Sequence, residues 1–171
     1  IFTDDDELAI IMRSIRVHGA GKDKYDNVRL GINGRLDTLQ AAILLEKLSI
    51  YEEELKLRNR NASFYLNNLK SSFKKPFIPN QYKSCWAQFS IVANSKEEKE
   101  ACTKLLNKKG IPTMNYYPIP LHLQKVFSYL GYKKNQFTTT EKISDSVFSI
   151  PMHPYLKESD QNKIVDIINE F

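Results

Sequence analysis

Gly31, Asn33, Gly34 and Arg35 cluster at the head of the stretch Gly31-Ile32-Asn33-Gly34-Arg35-Leu36-Asp37-Thr38-Leu39-Gln40-Ala41-Ala42-Ile43-Leu44, where a glycine-bracketed loop feeds an apolar-striped segment. A helix starting there gathers free backbone N–H groups and the positive end of its macrodipole, an arrangement that attracts phosphate. Asn33 adds a neutral donor and Arg35 a bidentate cationic one. A plainer reading of the same residues has Asn33 capping a turn, Arg35 solvated and Asp37 serving as a first-turn acid. Other chemistries lack their residues. His18, His122 and His153 lie in separate segments without HxxH or HExxH spacing, which speaks against a metal such as zinc. Gly19-Ala20-Gly21 and the glycines at 31 and 34 lack the strand-before, helix-after context of a nucleotide-binding loop, and no Gly-x-Ser-x-Gly or Walker sequence occurs.

The elements that would carry these residues follow from periodicity. Ile1-Phe2-Thr3 reads as the end of a strand. Thr3 or Asp4 can cap a helix whose first turn holds Asp5, Asp6 and Glu7, with Leu8, Ile11, Met12 and Ile15 at helical steps and His18-Gly19 at its end. Residues 19–34 keep no period and read as an ordered loop. A helix from Arg35 to Leu69 follows, on apolar positions spaced by three and four. Beyond Pro76 and Pro79, Ser84 to Ala93 alternates as a strand. Ser95 and Glu98 form a capping box for a helix to Lys109 that Gly110 stops. Ile111 to Tyr117 reads as a second strand, closed by the turn Tyr117-Pro118-Ile119-Pro120. Helices are expected from Leu121 to Leu130, from Thr139 to Phe148 with Thr139 or Thr140 as cap, and from Ser159 to Phe171. The order predicts an α+β fold, a long helix plus a small, mainly antiparallel sheet with helices on one face.

The 171 residues are 42% apolar and 26% charged, with seven prolines and six glycines, which excludes collagen-like, low-complexity and disordered classes. Lys and Arg exceed Asp and Glu by 25 to 20, a net charge of +5. The basic residues are scattered, so no nucleic-acid face is expected. No apolar run approaches the ~20 residues that span a bilayer, and no signal-peptide pattern is present. Cys85 and Cys102, without CxxC spacing, read as buried or idle thiols of a reducing, cytoplasmic compartment. The chain opens without Met on what reads as a strand already running, so a fragment of a longer protein is expected.

The stretch from Gly31 to Leu44 strongly resembles the GxNxRLDxLQAAIL signature of the sugar-nucleotide aminotransferases, pyridoxal-phosphate enzymes of the aspartate aminotransferase fold type I. Arg16-Val17-His18-Gly19 precedes it as in that family. Tyr116-Tyr117-Pro118-Ile119-Pro120-Leu121-His122-Leu123-Gln124 and Ser149-Ile150-Pro151-Met152-His153-Pro154-Tyr155-Leu156 follow in the family's order.

The resemblance implies a C-terminal portion, with residues 1–34 the edge of the large cofactor domain and its active-site loop and residues 35–171 the small C-terminal domain. It implies that Asn33 binds the phosphate of pyridoxal 5'-phosphate in the neighbouring subunit of a homodimer with shared active sites, and that Arg35 meets the anionic part of the substrate. Tyr116 and Tyr117 match positions lining the nucleotide-sugar site, and Lys22 and Lys24 are candidates for its diphosphate. His122 and Gln124 pin their turn, His18 ends a helix, and His153 is a turn residue. The lysine that binds the cofactor covalently in this family lies about a dozen residues before the strand ending at Thr3, so this chain holds no catalytic lysine. The implied reaction moves an amino group, usually from glutamate, to a keto carbon of a nucleotide-linked sugar, with the 3-keto position favoured over the 4-keto, in surface-polysaccharide or amino-sugar biosynthesis. A non-catalytic binding or dimerisation module, or a cofactor-retaining sugar dehydratase relative, is the alternative.

Overall fold

Asp5 starts the first helix, its side chain accepting from the Leu8 N–H at 2.9 Å. In this computed structural model, which describes every residue except Lys24 and Ser71, helix α1 spans Asp6–Arg16. The expected caps Thr3 and Asp4 are displaced by one position, Thr3 instead accepting from the Asp5 N–H. Ile1-Phe2-Thr3 is not a strand, and Ile1 and Phe2 are fully exposed. A strand exists only through a neighbour to bond with, and none of the described residues pairs with these three.

The expected loop over 19–34 has a definite form. Its second half folds back on the end of α1, with single antiparallel bridges Val17↔Asn33 and Ala20↔Asn27. His18 donates to the Ile32 carbonyl (3.0 Å), Ile32 to Ile15 (2.8 Å) and Gly34 to Arg16 (2.8 Å). Helix α2, Thr38–Asn68, starts later than expected because Asp37, not Arg35, caps it through the Gln40 N–H at 2.9 Å. The described residues form two compact units, Ile1–Ile50 and Tyr51–Phe171, and α2 contributes to each.

In the second unit β1 (Phe89–Val92) pairs antiparallel with β2 (Val147–Ile150), Phe89 facing Ile150 and Val92 facing Val147. Single bridges add Lys74 beside Val92 and Met114 beside Ser149. Strand β2 lies where a helix to Phe148 is expected. All four of its residues are buried, so it lacks the alternation by which a half-exposed strand is recognised. The expected strand from Ile111 to Tyr117 shrinks to the bridge at Met114, since Pro112 and Pro118 offer no ladder N–H.

Helix α3 (Lys96–Lys108) has its Ser95 cap bonded to the Glu98 N–H, while the Glu98 carboxylate reaches Asn94 N rather than Ser95 N. The expected helix after Leu121 divides into two 3₁₀ turns, Leu121–Leu123 and Lys125–Leu130, with Gln124 extended between them. Helices α4 (Thr138–Ser146) and α5 (Glu158–Ile168) follow, neither with a side-chain cap from the N-cap residue, so Thr139 and Thr140 do not cap α4.

Tyr65, Phe89, Ile91, Leu106, Phe148 and Ile164 are fully buried in the core of this unit, and such side chains each contribute ~1.5–3 kcal/mol of burial. Tyr65 packs on Phe89 (centroids 5.0 Å apart) and Phe89 on Trp86 (5.5 Å, stacked). Cys102 is buried there, and Cys85 is exposed. Among the described residues, no helix is long and apolar enough to cross a membrane.

Candidate functional site

The clamp between α1 and the chain from 27 to 34 is what positions Asn33. It depends on two glycines, since a Cβ on Gly31 would overlap the backbone of Gly19 and His18, and one on Gly19 would overlap the Arg29 carbonyl. Gly19 also sits at φ +73°, where glycine is favoured. The Arg16-to-Gly19 and Gly31-to-Arg35 motifs, separate in sequence, are therefore two sides of one backbone pairing.

Arg35 Nε donates to Asn33 Oδ1 at 2.8 Å. With Oδ1 engaged, what Asn33 has left is its Nδ2 donor, and what Arg35 has left is its two terminal nitrogens. None of these has a partner among the described residues. Both side chains are exposed. The remaining groups are all N–H donors, and a phosphate is all acceptor, so this donor set fits the phosphate of pyridoxal phosphate.

The end of α2 does not fit an anion as expected. Asp37 Oδ1 takes the Gln40 N–H and the Asp37 carbonyl takes the Ala41 N–H, so a carboxylate already occupies the positive end of the helix and opposes a second anion there. The donors left open to an anion in this stretch are those of the Asn33 and Arg35 side chains. Lys22 is exposed near the tip of the turn between Ala20 and Asn27 and bonds to neither of them. Lys24 lies outside the described residues. Arg13 and Arg16, to which residue reading alone assigns no role, line a cavity of about 870 Å³ beside Ile32 and Gly34.

In the second unit Tyr116 and Tyr117 are joined by a cis peptide, and their rings meet edge to face at 5.6 Å and 76°. They open onto a pocket of about 480 Å³ between the turn 117–121 and α4. Tyr116 also borders a smaller hollow of about 190 Å³ with Gln88, Met114 and Ser149.

Three contacts hold the pocket walls. Ser144 Oγ donates to the Tyr117 carbonyl at 2.7 Å. Gln124 Nε2 donates to the Ile119 carbonyl at 3.2 Å, and His122 Nε2 donates to Glu141 Oε1 at 3.1 Å. The His122 and Glu141 side chains are only 8% and 12% exposed. The Asn135 N–H above all, joined by the His122 and Phe137 donors, holds the Glu141 carboxyl below its ordinary range. His122 and Gln124 thus pin the turn. His153 is a turn residue whose carbonyl accepts from Asn61 Nδ2 at 2.9 Å. His18 follows α1 at φ +58°. Ser144 and Glu141 escape sequence reading because their partners are 27 and 19 residues away. Among the described residues no three His, Cys, Asp or Glu gather as a metal site would require.

Comparison with known proteins concerns the chain as a whole. A UDP-2-acetamido-2-deoxy-3-oxo-D-glucuronate aminotransferase of Pseudomonas aeruginosa is 43% identical over 157 residues, 91% of this chain and 42% of that protein. A dTDP-3-amino-3,6-dideoxy-alpha-D-galactopyranose transaminase of Aneurinibacillus thermoaerophilus is 34% identical, over 100% of this chain and 46% of that protein. The crystal structure of a DegT DnrJ EryC1 StrS aminotransferase from Brucella abortus superposes with a TM-score of 0.85 at 44% identity, covering 99% of this chain and 45% of that one. The chain spans less than half the length of each. With residues 1–169 matching its pattern, this chain belongs to the DegT/DnrJ/EryC1/StrS aminotransferase family.

Proposed function

We propose that this chain is the C-terminal part of a pyridoxal-phosphate-dependent aminotransferase that moves an amino group, with glutamate as donor, onto a 3-keto carbon of a uridine- or thymidine-linked sugar. Aminotransferases of this family depend on pyridoxal phosphate. The observation that carries the reading is the hydrogen-bonded Asn33–Arg35 pair, whose remaining groups are all phosphate-compatible donors. The 3-keto preference and the pyrimidine nucleotide are supported by the names of the relatives from Pseudomonas aeruginosa and Aneurinibacillus thermoaerophilus, both of which act on UDP- or dTDP-linked sugars at carbon 3.

In this reading residues 1–34 belong to the edge of the cofactor domain and its active-site loop and residues 35–171 to the small domain. The protein works as a cytoplasmic homodimer in amino-sugar or surface-polysaccharide synthesis, and its free thiols Cys85 and Cys102 accord with a reducing compartment. Pyridoxal phosphate, when bound, supplies the electron sink that lets a proton leave and return at the carbon bearing the amino group. Asn33 Nδ2 binds the cofactor phosphate. Arg35 holds the Asn33 amide in the orientation that presents Nδ2, and its terminal nitrogens meet an anionic group of the substrate. Lys22 and Lys24 attract the diphosphate, and Tyr116 and Tyr117 orient the sugar nucleotide.

The test is cofactor titration of the full-length protein with and without Asn33→Ala. A phosphate hydrogen bond is worth ~1.5–3 kcal/mol, so affinity should fall roughly tenfold or more. Unchanged titration removes Asn33 from the site. Failure of the wild-type protein to convert glutamate to 2-oxoglutarate, with cofactor and a 3-keto nucleotide sugar present, refutes the reaction.

A further inference from the structure

Lys99 stands where the pattern of its helix calls for an apolar side chain. The buried face of α3 is made by residues 99, 102 and 106, and Cys102 and Leu106 fill the other two positions. Lys99 is only 9% exposed, and a charge taken that far from water costs free energy unless it finds partners. Burial accordingly pulls its pKa below the ordinary lysine value, while the charge of Asp145 opposes that shift. A cation kept on a core face breaks the local rule in the way that functional positions do.

The Lys99 ammonium reaches the end of α4, where Nζ donates to the Ser144 carbonyl at 3.5 Å. That carbonyl lies in the last turn of a helix ending at Ser146, where carbonyls lack helical N–H partners and the dipole is negative. The side chain of the same residue points the other way along the chain of contacts, Ser144 Oγ donating to the Tyr117 carbonyl at 2.7 Å. Ser144 is 8% exposed, so water does not readily replace either bond. Ser144 is thus held by α3 through its carbonyl and holds the turn after Tyr116 through its hydroxyl. Ser144 and Tyr117 line the pocket at that turn, and Lys99 does not. The Ser146 carbonyl is tied separately to the Ala93 N–H at 3.0 Å, which anchors the end of α4 whatever stands at position 99.

We propose that Lys99 is a positioning residue for the substrate-facing turn: through Ser144 it fixes the Tyr117 carbonyl and with it the direction in which the Tyr117 ring is presented. The proposal rests on the reading of Tyr117 as a residue that orients the sugar nucleotide, and it adds a residue that sets Tyr117 without touching the substrate.

The experiment compares the wild type with Lys99→Met, Ser144→Ala and the double variant, each as full-length, cofactor-loaded protein. Methionine keeps the length and apolar stem of lysine and removes the cation. Two quantities are read: the carbon-13 shift of the Tyr117 carbonyl, selected by labelling the Tyr117–Pro118 pair, and the calorimetric affinity for UDP and dTDP. In Lys99→Met the carbonyl resonance should move in the same direction as in Ser144→Ala, and both nucleotides should bind about threefold more weakly or worse. The double variant should match Ser144→Ala alone, because Lys99 acts through that hydroxyl. Should Lys99→Met fail to fold, Lys99→Leu takes the same measurements.

A Tyr117 resonance that keeps its wild-type position in the Lys99 variant overturns the positioning role, even where the wild type binds both nucleotides and the substrate reading stands. Additive effects in the double variant, or a moved resonance with wild-type nucleotide affinity, overturn it as well. A wild type that binds neither nucleotide overturns the substrate reading of Tyr117 and, with it, the role of Lys99 toward substrate.

Discussion

Arg35 Nε and Asn33 Oδ1 lie 2.8 Å apart in a hydrogen bond between exposed side chains two residues apart. That bond occupies the one acceptor of the pair and turns both side chains into donors. Lysine's ammonium has three donors but sits on a flexible stem without the rigid planar fork that lets Arg35 Nε hold Asn33 while the terminal nitrogens face an anion. Arg35→Lys in the full-length protein is therefore expected to weaken cofactor binding on the order of tenfold although the charge is kept. Fluorescence titration of the cofactor checks this, and wild-type affinity in the lysine variant would show that the fork is not used.

Gly31 is the steric counterpart of that pair. Its φ is not in the left-handed region, so the demand for glycine comes from the backbone of Gly19 and His18 pressed against it. Gly31→Ala must open the pairing that places Asn33 opposite Val17, and overpacking of this kind costs about 1–3 kcal/mol. Denaturant unfolding should register the loss, and cofactor affinity should fall with it because Asn33 is displaced.

These two cases mark where sequence reading succeeds and where it stops. The Ser95 start of α3 is legible because the cap and its N–H partner lie three residues apart, and α1 is legible from its apolar spacing although its cap is Asp5 and not Thr3 or Asp4. The Asn33 segment stands out in the sequence by its residue types alone. The clamp is not legible, because His18 finds Ile32 and Gly34 finds Arg16 across a loop with no period. Nor is Asp37 legible as the residue that closes the α2 terminus to anions, since its type suits a cap and a solvated first-turn acid equally. Strand β2 hides because Val147, Phe148, Ser149 and Ile150 are buried on every side, and a short continuous run of that kind reads as well as a helix end. The walls of the Tyr117 pocket depend on pairs 19 and 27 residues apart, which no local pattern records.

Tyr65 joins α2 to the segment after β2. It is fully buried, its hydroxyl donates to the Pro151 carbonyl at 2.9 Å, and burial raises its pKa far above the ordinary phenol value. Tyr65→Phe keeps the ring contact with Phe89 and leaves the Pro151 carbonyl without its donor. A loss of about 1–3 kcal/mol is expected, read by denaturant unfolding. A neutral result would mean that water reaches that carbonyl.

The two cysteines should separate by reactivity. Cys102 is buried and its thiol is pushed up to about 11 by desolvation, so it carries almost no thiolate at neutral pH. Cys85 is exposed. Iodoacetamide at neutral pH should add one alkyl group to the native protein at Cys85 and a second, at Cys102, only in denaturant, with peptide mass spectrometry assigning each. Modification of both at similar rates in native buffer would place Cys102 in a readily opening part of the fold.

Glu141 makes the Tyr117 pocket sensitive to acid. Its carboxylate accepts from Asn135, Phe137 and His122, and these donors hold its pKa below the ordinary carboxyl value, the Asn135 N–H contributing most. A carboxyl with a lower pKa in the folded than in the unfolded chain stabilises the fold at pH above 4.5, and that stabilisation disappears as the pH falls through the folded value. Lys96, Lys134, Lys142 and Asp145 line, with Glu141, a hollow separate from the Tyr117 pocket. The effect is isolated by the difference between wild type and Glu141→Gln, in which their contributions are shared. That difference in unfolding free energy should be constant from neutral pH down to about 4.5 and shrink below it. Chemical-shift changes at Tyr117 and Ile119 should accompany the loss, because the His122 bond that ties the turn to α4 goes with the carboxylate. A difference that does not change across this range would mean that Glu141 holds the turn equally well when protonated.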